Sequence, residues 1–317
     1  MKYGFTLDRD GIASRPAPLQ YLSNLAREAE SLGYGYAVIG DRLESGVDPF
    51  LLLAAIAEAS GRMQLVTSVV ILPPRGILVT AKQFAGLDVL TGGRVIAGVG
   101  TGSLFRDYTI VGMSSDEMGP RFEEGVRAMR AYLTKDAPPF TGRFYDTTGV
   151  SVEPKPIQQP CLPIWIGSWG RPAALKRVAR LADGWLSSAG PGHQTPEQFA
   201  TDIQLLNTYL VEEGKDPATF PSAVSTMSLF VSDDPAELAE HGGPGYVPRP
   251  AGVGVGQPET RPSDDPHGHD MVGTPAACID KVRRWQAAGI GALLLVPRGP
   301  DPLGQMRRFM DEVASKA

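Results

Sequence analysis

The sequence predicts an α/β fold, arranged as a single (β/α)8 TIM-barrel domain over residues 1–317. Short apolar segments alternate with longer amphipathic ones along the chain, which is typical of parallel strands joined by helices. Eight short segments can be counted, and eight parallel strands can close into a barrel. An open, doubly wound sheet is the alternative fold. A chain of 317 residues can bury a large core without disulfides.

The first half of the chain contains four strand–helix units. The expected strands are Tyr3–Leu7, Tyr36–Ile39, Leu65–Leu72 and Arg94–Val99, and the expected helices are Pro18–Leu32, Pro49–Ser60 and Leu78–Leu90. Asp48 and Pro49 form a capping residue and a first-turn proline at the second helix. The run Leu65–Leu72 is apolar and rich in β-branched residues, which favours one continuous strand covered on both faces.

The second half of the chain continues the same alternation. The expected strands are Pro163–Gly167, Gly184–Ser187, Ala223–Val231 and Gly291–Val296, and the expected helices are Pro172–Leu181, Pro196–Glu213, Thr274–Ala288 and Asp301–Ala314. Two segments rich in glycine and proline interrupt it. Residues 138–163 are predicted to form an inserted hairpin or extended arm. Residues 241–270 are predicted to form a long loop on the catalytic face, as a lid, a binding loop or a disordered segment.

Composition excludes several classes of function. The net charge is −5 and no Lys/Arg block occurs, so a nucleic-acid partner is not expected. No apolar stretch reaches the ~18 residues of a membrane-spanning helix. Cys161 and Cys278 lack metal-ligand spacing, and His267 and His269 lack supporting ligands, so no metal site is predicted. The N-terminal residues form a strand-like run instead of a secretion signal, so a cytoplasmic protein with free buried thiols is expected.

The ends of the predicted strands are where a barrel carries its chemistry. Gly98-Val99-Gly100-Thr101-Gly102 ends the fourth strand, and its glycines could let the backbone approach a planar ligand. The stretch is only a weak match to a dinucleotide fingerprint, because its spacing is Gly-x-Gly-x-Gly and no amphipathic helix follows directly. A tight turn without a ligand is the alternative interpretation.

The fifth predicted strand runs into Gly167-Ser168-Trp169-Gly170-Arg171, and a helix begins at Pro172. Unpaired N–H groups at a helix start attract anions, so this loop is a candidate phosphate site. Ser168 could add a hydroxyl and Arg171 a positive charge. The stretch Ser187-Ser188-Ala189-Gly190, at the next strand end, could donate to the same group. A plain strand-to-helix turn is the alternative.

Asp41 and Arg42 end the second predicted strand. They could simply pair with each other. As charged residues on the catalytic face, they could instead orient a substrate or transfer protons. By composition, Ser68 and Val69 belong to the core.

Several short motifs occur in a fixed order along the chain. They lie at residues 25–33, 40–42, 81–102, 140–145, 154–160, 164–167, 179–185 and 272–275, and include Leu90-Thr91-Gly92-Gly93-Arg94 and Ala182-Asp183-Gly184-Trp185. Together they make the chain resemble the bacterial luciferase-like flavin-dependent oxidoreductases over nearly its whole length. Each motif is short, and the specificity comes from their order and spacing.

This resemblance implies a TIM-barrel monooxygenase or oxidoreductase that binds FMN or the deazaflavin F420 at the strand ends. The implied cofactor-binding residues are Ser68, Val69, Gly100, Thr101, Gly102, Gly167, Ser168, Trp169, Gly170, Arg171, Ser187 and Ser188. It also implies a cis peptide bond between Ser68 and Val69. The implied catalytic residues are Asp41 and Arg42. In an oxidoreductase of this kind, residues 241–270 are expected to act as a lid. A small-molecule substrate, the homodimers frequent in the family and, for an FMN enzyme, a separate flavin reductase are the implied partners.

The sequence departs from the family pattern at two positions. Many members have histidine after the acid that ends the second strand, whereas this chain has Arg42. A histidine proton donor is therefore absent there, which keeps a non-catalytic barrel, acting as a carrier or sensor of flavin, as the alternative function. Thr109 lies where the luciferases carry a phosphate-contacting arginine, and this favours F420 over FMN.

Overall fold

The computed structural model describes residues 1–102, 105–188, 194–241 and 270–317. Within these ranges, eight parallel strands form a closed barrel, because the last strand pairs with both the first and the seventh. The barrel strands are β1 Lys2–Thr6, β2 Tyr36–Ile39, β3 Gln64–Thr67, β5 Val95–Gly100, β6 Ile164–Gly167, β7 Gly184–Ser188, β8 Ser222–Val231 and β10 Ala292–Pro297. The predicted barrel is confirmed, and the open sheet is excluded.

Helices surround the barrel. They are α1 Arg9–Ile12, α2 Pro18–Ser31, α3 Pro49–Glu58, α4 Leu72–Arg75, α5 Ile77–Leu90, α6 Phe105–Thr109, α7 Met118–Leu133, α8 Pro172–Leu181, α9 Pro196–Glu212, α10 Pro235–His241, α11 Pro275–Ala287 and α12 Pro302–Arg308, which continues as the π-helical turn Phe309–Ala314. Side-chain caps begin several of them. The Asp48 carboxylate accepts from Phe50 N–H, and the Thr195, Thr274 and Asp301 side chains cap α9, α11 and α12.

The apolar residues form two separate packed layers. The outer layer lies between strands and helices, and the inner layer fills the barrel. In β2, Tyr36 and Val38 belong to the inner layer, whereas Ala37 and Ile39 belong to the outer one. This alternation follows from the two-residue repeat of a strand. Both faces of each strand are therefore buried, and only the strand ends can carry a ligand site.

The predicted strand Leu65–Leu72 is not continuous. β3 ends at Thr67, the Ser68–Val69 peptide bond is cis as predicted, and β4 Val70–Ile71 pairs separately with β5. The chain then enters α4 directly. Pro73 and Pro74 explain why the chain leaves the sheet at Leu72, because they cannot donate to a sheet and they fit the first turn of a helix.

The sequence did not predict the short helices α1, α4 and α6, the helix α7 or the strand β9. The helix α7 packs against α5 and α4, although Gly119, Pro120 and Gly125 weaken its helical pattern. The short strand β9 Met271–Gly273 extends the sheet beside β8. The predicted arm is confirmed as irregular chain with one bridge, Thr141 to Asp146. The arm is held to the barrel by a hydrogen bond that Gln158 Nε2 donates to the buried Asp88 carboxylate (2.7 Å).

The predicted loop 241–270 lies outside the described residues, apart from its two end residues. His267 and His269 lie outside them as well, so the prediction that they bind no metal stays a prediction. In the described ranges, no group of three potential metal ligands comes together. None of the helices seen there is long and apolar enough to cross a membrane.

Both cysteines are free; Cys278 is buried and Cys161 is half-buried. Burial raises the pKa of the Cys161 thiol to about 11 and that of the Cys278 thiol to about 12. At pH 8 only about one Cys161 side chain in a thousand would be the reactive thiolate. We therefore expect neither thiol of the native protein to react within minutes with a disulfide reagent at pH 8. Both should react at once in urea, and rapid labelling of the native protein would contradict this burial.

Candidate functional site

The catalytic face of the barrel, where the strands end, is organised around the Val69 side chain. A Cβ added to Gly100 would lie 2.6 Å from Val69 Cγ2, and one added to Gly167 would lie 2.5 Å from Val69 Cγ1. Val69 also packs against the inner layer of the barrel. Val69 therefore covers the inner layer at the catalytic face, and the ends of β5 and β6 lie on either side of it. We call this surface the Val69 shelf, comprising Val69, Gly100 and Gly167.

The other glycines of the 98–102 stretch also make close contacts with the segment from β3 to β4. A Cβ at Gly98 would overlap the carbonyl oxygen of Thr67, and one at Gly102 would lie 2.7 Å from Ile71 Cγ2. These glycines are thus required by the neighbouring segment from β3 to β4. The approach of a planar ligand to these glycines stays a prediction, and the contacts seen are with the protein itself. Thr101 lies half-buried between them.

The predicted phosphate loop, Gly167 to Arg171, leads into α8. No side chain caps the start of α8, and Arg171 is exposed beside it. Ser168 is half-buried, and its Oγ accepts a hydrogen bond from Trp185 Nε1 (3.1 Å), which leaves the hydroxyl proton of Ser168 to donate. Positive charge, a hydroxyl donor and an uncapped helix start therefore meet in one loop. This set fits the phosphate of a flavin-type cofactor, because phosphate oxygens only accept hydrogen bonds.

A buried polar chain supports this loop from behind. Ser187 Oγ donates to Gln194 Oε1 (3.0 Å), and Gln194 Nε2 donates to Asp202 Oδ2 (2.9 Å). The Asp202 carboxylate rests against Gly170, where a Cβ would overlap it. Ser187 is fully buried, so its hydroxyl orients Gln194 in this structure. Ser188, which is half-buried, lies nearer the surface.

Asp41 is the centre of a second buried network. Its Oδ2 accepts from Arg75 Nε (2.6 Å), its Oδ1 from Arg75 Nη2 (2.6 Å), and Arg75 Nη1 reaches Asp48 Oδ2 (2.8 Å). The Ile71 N–H also donates to Asp41 (3.2 Å). We call this set of Asp41, Arg75 and Asp48 the Arg75 clasp. Burial alone would lower the pKa of Arg75, but the hydrogen bonds and charges of the two aspartates raise it overall.

The clasp corrects two expectations for Asp41. It pairs with Arg75 and not with Arg42. Its side chain is 0% exposed, so a carboxylate that is both enclosed and already paired does not face a substrate. Because it holds Ile71 and Arg75, Asp41 instead positions the segment that carries Val69.

Arg42 lies at the mouth of the barrel, and its Nη1 is 3.9 Å from Asp107 Oδ2. The Arg42 side chain is 23% exposed, whereas that of Asp107 is 2% exposed. The Asp107 carboxylate also lies close to Gly102. The structure thus places a carboxylate and a guanidinium side by side, next to the stretch predicted to line the cofactor.

Four residues of these networks were missed from the sequence: Arg75, Asp107, Gln194 and Asp202. Arg75, Asp107 and Gln194 follow strand ends closely, so a search extended a few residues beyond each strand would have found them. Asp202 lies inside α9 and carries no local signal, because it acts through contacts made only in the folded barrel.

Comparison with known proteins identifies the family. The model of the luciferase-like monooxygenase family matches residues 3–292. This chain belongs to the luciferase-like monooxygenase family. The predicted resemblance is confirmed, and the match covers most of the described barrel.

Curated relatives of this luciferase-like protein include both cofactor types. An uncharacterized protein of Mycobacterium tuberculosis is 33% identical over 62% of this chain and 65% of its own length. An F420-dependent glucose-6-phosphate dehydrogenase from Amycolatopsis mediterranei is 31% identical over 54% of each chain. An FMNH2-dependent dimethylsulfone monooxygenase from Pseudomonas putida is 29% identical over 54% of this chain and 49% of its own. The matches therefore span between about half and two thirds of these relatives.

Solved structures show the same fold across the full length of the luciferase-like barrel. Monooxygenase RslO1 from Streptomyces bottropensis superimposes with a TM-score of 0.80 at 24% identity and covers 99% of both chains. An F420-dependent secondary alcohol dehydrogenase superimposes with a TM-score of 0.78 at 18% identity, covering 100% of this chain and 99% of its own.

Proposed function

We propose that the protein is a flavin- or F420-dependent oxidoreductase that acts on a small organic molecule. The observation that carries this proposal is the loop from Gly167 to Arg171, which presents donors and a positive charge at the uncapped start of α8. This loop adjoins the Val69 shelf through Gly167 itself. A phosphate-bearing cofactor with a flat ring system matches both features.

The residues of this chain divide into distinct tasks. Ser168, Gly170 and Arg171 would hold the phosphate, and Val69 with Gly100 to Gly102 would support the ring. Gln194 and Asp202 would keep the phosphate loop in place from behind. Ser187 would act through Gln194. The bound cofactor supplies the redox chemistry, namely hydride transfer or, for reduced FMN, activation of O2.

Arg42 and Asp107 are the charged groups best placed to act on a substrate. Arg42 follows the end of β2, and Asp107 lies close to Gly102. The buried Asp107 carboxylate lies 3.9 Å from the Arg42 guanidinium. Arg42 stays charged at all working pH values, so its role would be to orient a substrate. Asp107 would hold or move a proton at its carboxylate oxygen, in place of the histidine that this chain lacks.

Between the two cofactors we favour F420. The helix α6 carries Thr109, whose hydroxyl donates to the carbonyl of Arg106, where the luciferases carry an arginine for phosphate. Relatives named for F420 and for FMNH2 both occur, so the family alone does not choose. A cytoplasmic, single-domain protein is also part of this proposal. A homodimer is proposed as the assembly, and a separate flavin reductase is proposed as a partner only if the cofactor is FMN.

Fluorescence titration of the cofactor-free protein with F420 and with FMN tests the proposal. We expect saturable binding of F420 that is at least tenfold tighter than that of FMN. Tighter binding of FMN would reverse the choice of cofactor, and failure of both would overturn the proposed function. Oxidation of reduced cofactor with a panel of small alcohols, ketones and aldehydes then separates an enzyme from a carrier that binds without turnover.

The Val69 shelf yields a sharper test of the site. Gly167→Ala places a methyl group against Val69 and should push this stiff side chain toward the ring position. We expect roughly tenfold weaker cofactor binding, about 1.4 kcal/mol, with the barrel still folded. Gly119→Ala is the control, because the nearest atom to its added methyl is Arg177 Nη2 at 4.0 Å. Equal cofactor affinity in the two variants would exclude the shelf from the site.

A further inference from the structure

A separate cavity of about 180 Å³ opens beside the ends of β1 and β10, on the same face of the barrel. None of the residues assigned above to the cofactor or to catalysis lines it. Leu7, Ile12 and Leu25 contribute apolar atoms to its lining, and Thr6, Arg15 and Arg298 are among the polar groups, which make up most of the lining surface. Polar groups placed around a concave site fix the orientation of a small ligand.

The hydroxyl of Thr6 is the first sign of a ligand. Its Oγ1 is buried, and no atom of the described residues hydrogen-bonds to it. Most buried hydroxyl groups in folded proteins have such a partner. A ligand oxygen in the cavity would supply it.

The two arginines of the cavity are the second sign. The Arg15 guanidinium lies 3.9 Å from the centre of the Tyr21 ring, and Arg298 Nε reaches only Ser228 Oγ at 3.4 Å. Within the described ranges, no carboxylate lies in ion-pair distance of either guanidinium. Asp8 also lines the cavity and, like Arg298, is exposed at its rim. With two guanidinium groups and one exposed carboxylate, the cavity lining carries a net positive charge, and a ligand carboxylate can accept from both arginines.

The volume limits the size of the ligand. A protein cavity of about 150 Å³ holds one benzene molecule, so a volume near 180 Å³ suits a single ring or a short aliphatic chain with one carboxylate. We propose that this cavity binds a small organic acid. Its carboxylate lies between Arg15 and Arg298, one oxygen accepts from Thr6, and its apolar body contacts Leu7, Ile12 and Leu25.

Calorimetric titration of the cofactor-free protein with sodium benzoate tests this site. We expect saturable binding at one site per chain. Benzyl alcohol has nearly the same shape without the charge, and inorganic phosphate has charge without the apolar body. Both should bind at least tenfold more weakly than benzoate, since hydrogen bonds to charged groups are the stronger ones. No saturation by benzoate, or equal binding of either comparator, would overturn the proposal.

Variants locate the binding within the cavity. Arg15→Gln and Arg298→Gln should each weaken benzoate binding at least tenfold, and Thr6→Val should weaken it severalfold. Arg283→Gln is the matched control, because Arg283 is exposed and lies in α11. Thermal unfolding of each variant shows that it is folded. If both cavity arginine variants bind benzoate as the control does, the assignment is wrong.

This site stands apart from the cofactor proposal. Benzoate binding is measured without cofactor, and cofactor titration is measured without benzoate. A negative result in one titration therefore does not change the interpretation of the other.

Discussion

Replacing Arg75 with alanine is expected to lower the free energy of unfolding by about 3–5 kcal/mol. The change removes the partner of Asp41, whose side chain is 0% exposed, and leaves a buried charge without its ion pair. The Ile71 N–H would then be the remaining donor described for that carboxylate. Urea unfolding at neutral pH measures the loss.

Arg106→Ala is the matched control for this prediction. Arg106 also pairs with an acid, Glu44 (2.7 Å), but its side chain is 68% exposed. An exposed pair of this kind contributes about 0–1 kcal/mol. If Arg75→Ala lowers the free energy of unfolding no more than Arg106→Ala does, the clasp does not hold the β3–α4 segment. A folded Arg75→Ala protein should also bind cofactor less tightly, since the segment it releases carries Val69.

We expect Gly98→Ala to destabilise the protein more than any other added methyl group in the barrel. The added Cβ would overlap the Thr67 carbonyl oxygen, and Thr67 Oγ1 already donates to the Gly98 carbonyl (2.7 Å). Both partners belong to adjacent strands, so neither can move without opening the pairing of β3 and β5. Overpacking against side chains costs about 1–3 kcal/mol, and a backbone overlap should exceed that range or prevent folding.

Gly86→Ala provides the comparison for this variant. Gly86 lies in α5, and nothing lies within 4 Å of its added Cβ. Alanine is favoured over glycine inside a helix by about 0.5–1 kcal/mol, so this variant should be slightly more stable than the parent. Soluble expression and urea unfolding of both proteins give the test. A Gly98→Ala protein as stable as the parent would mean that β3 and β5 separate easily.

The placement of most elements was predictable from local patterns. The strand Tyr36–Ile39 and the helix Pro172–Leu181 have the bounds that periodicity and proline positions indicate. The prediction failed where two local signals competed. At Leu65–Leu72 the β-branched run favoured a strand, but the proline pair that follows Leu72 favoured a helix start.

The candidate site was predictable only in part. The loop Gly167 to Arg171 could be found because a strand, small residues and a first-turn proline follow each other in sequence. The pairing of Asp41 with Arg75 could not, since 34 positions separate them and Arg42 is the nearer cation. The sequence alone does not show which of the two arginine side chains will pair with the buried Asp41.

The sequence by itself determined that this protein is a luciferase-like barrel, because strand count, helix period and motif order are properties of the chain. The tertiary structure alone decided what each strand end does. Gly98, Gly100 and Gly102 proved to make room for Thr67, Val69 and Ile71. Asp41 proved to be a buried anchor of Arg75, with an exposed fraction of 0%. The physical reason is the same in each case: burial and close contact arise between segments far apart in sequence, and only the closed barrel sets the distances between them.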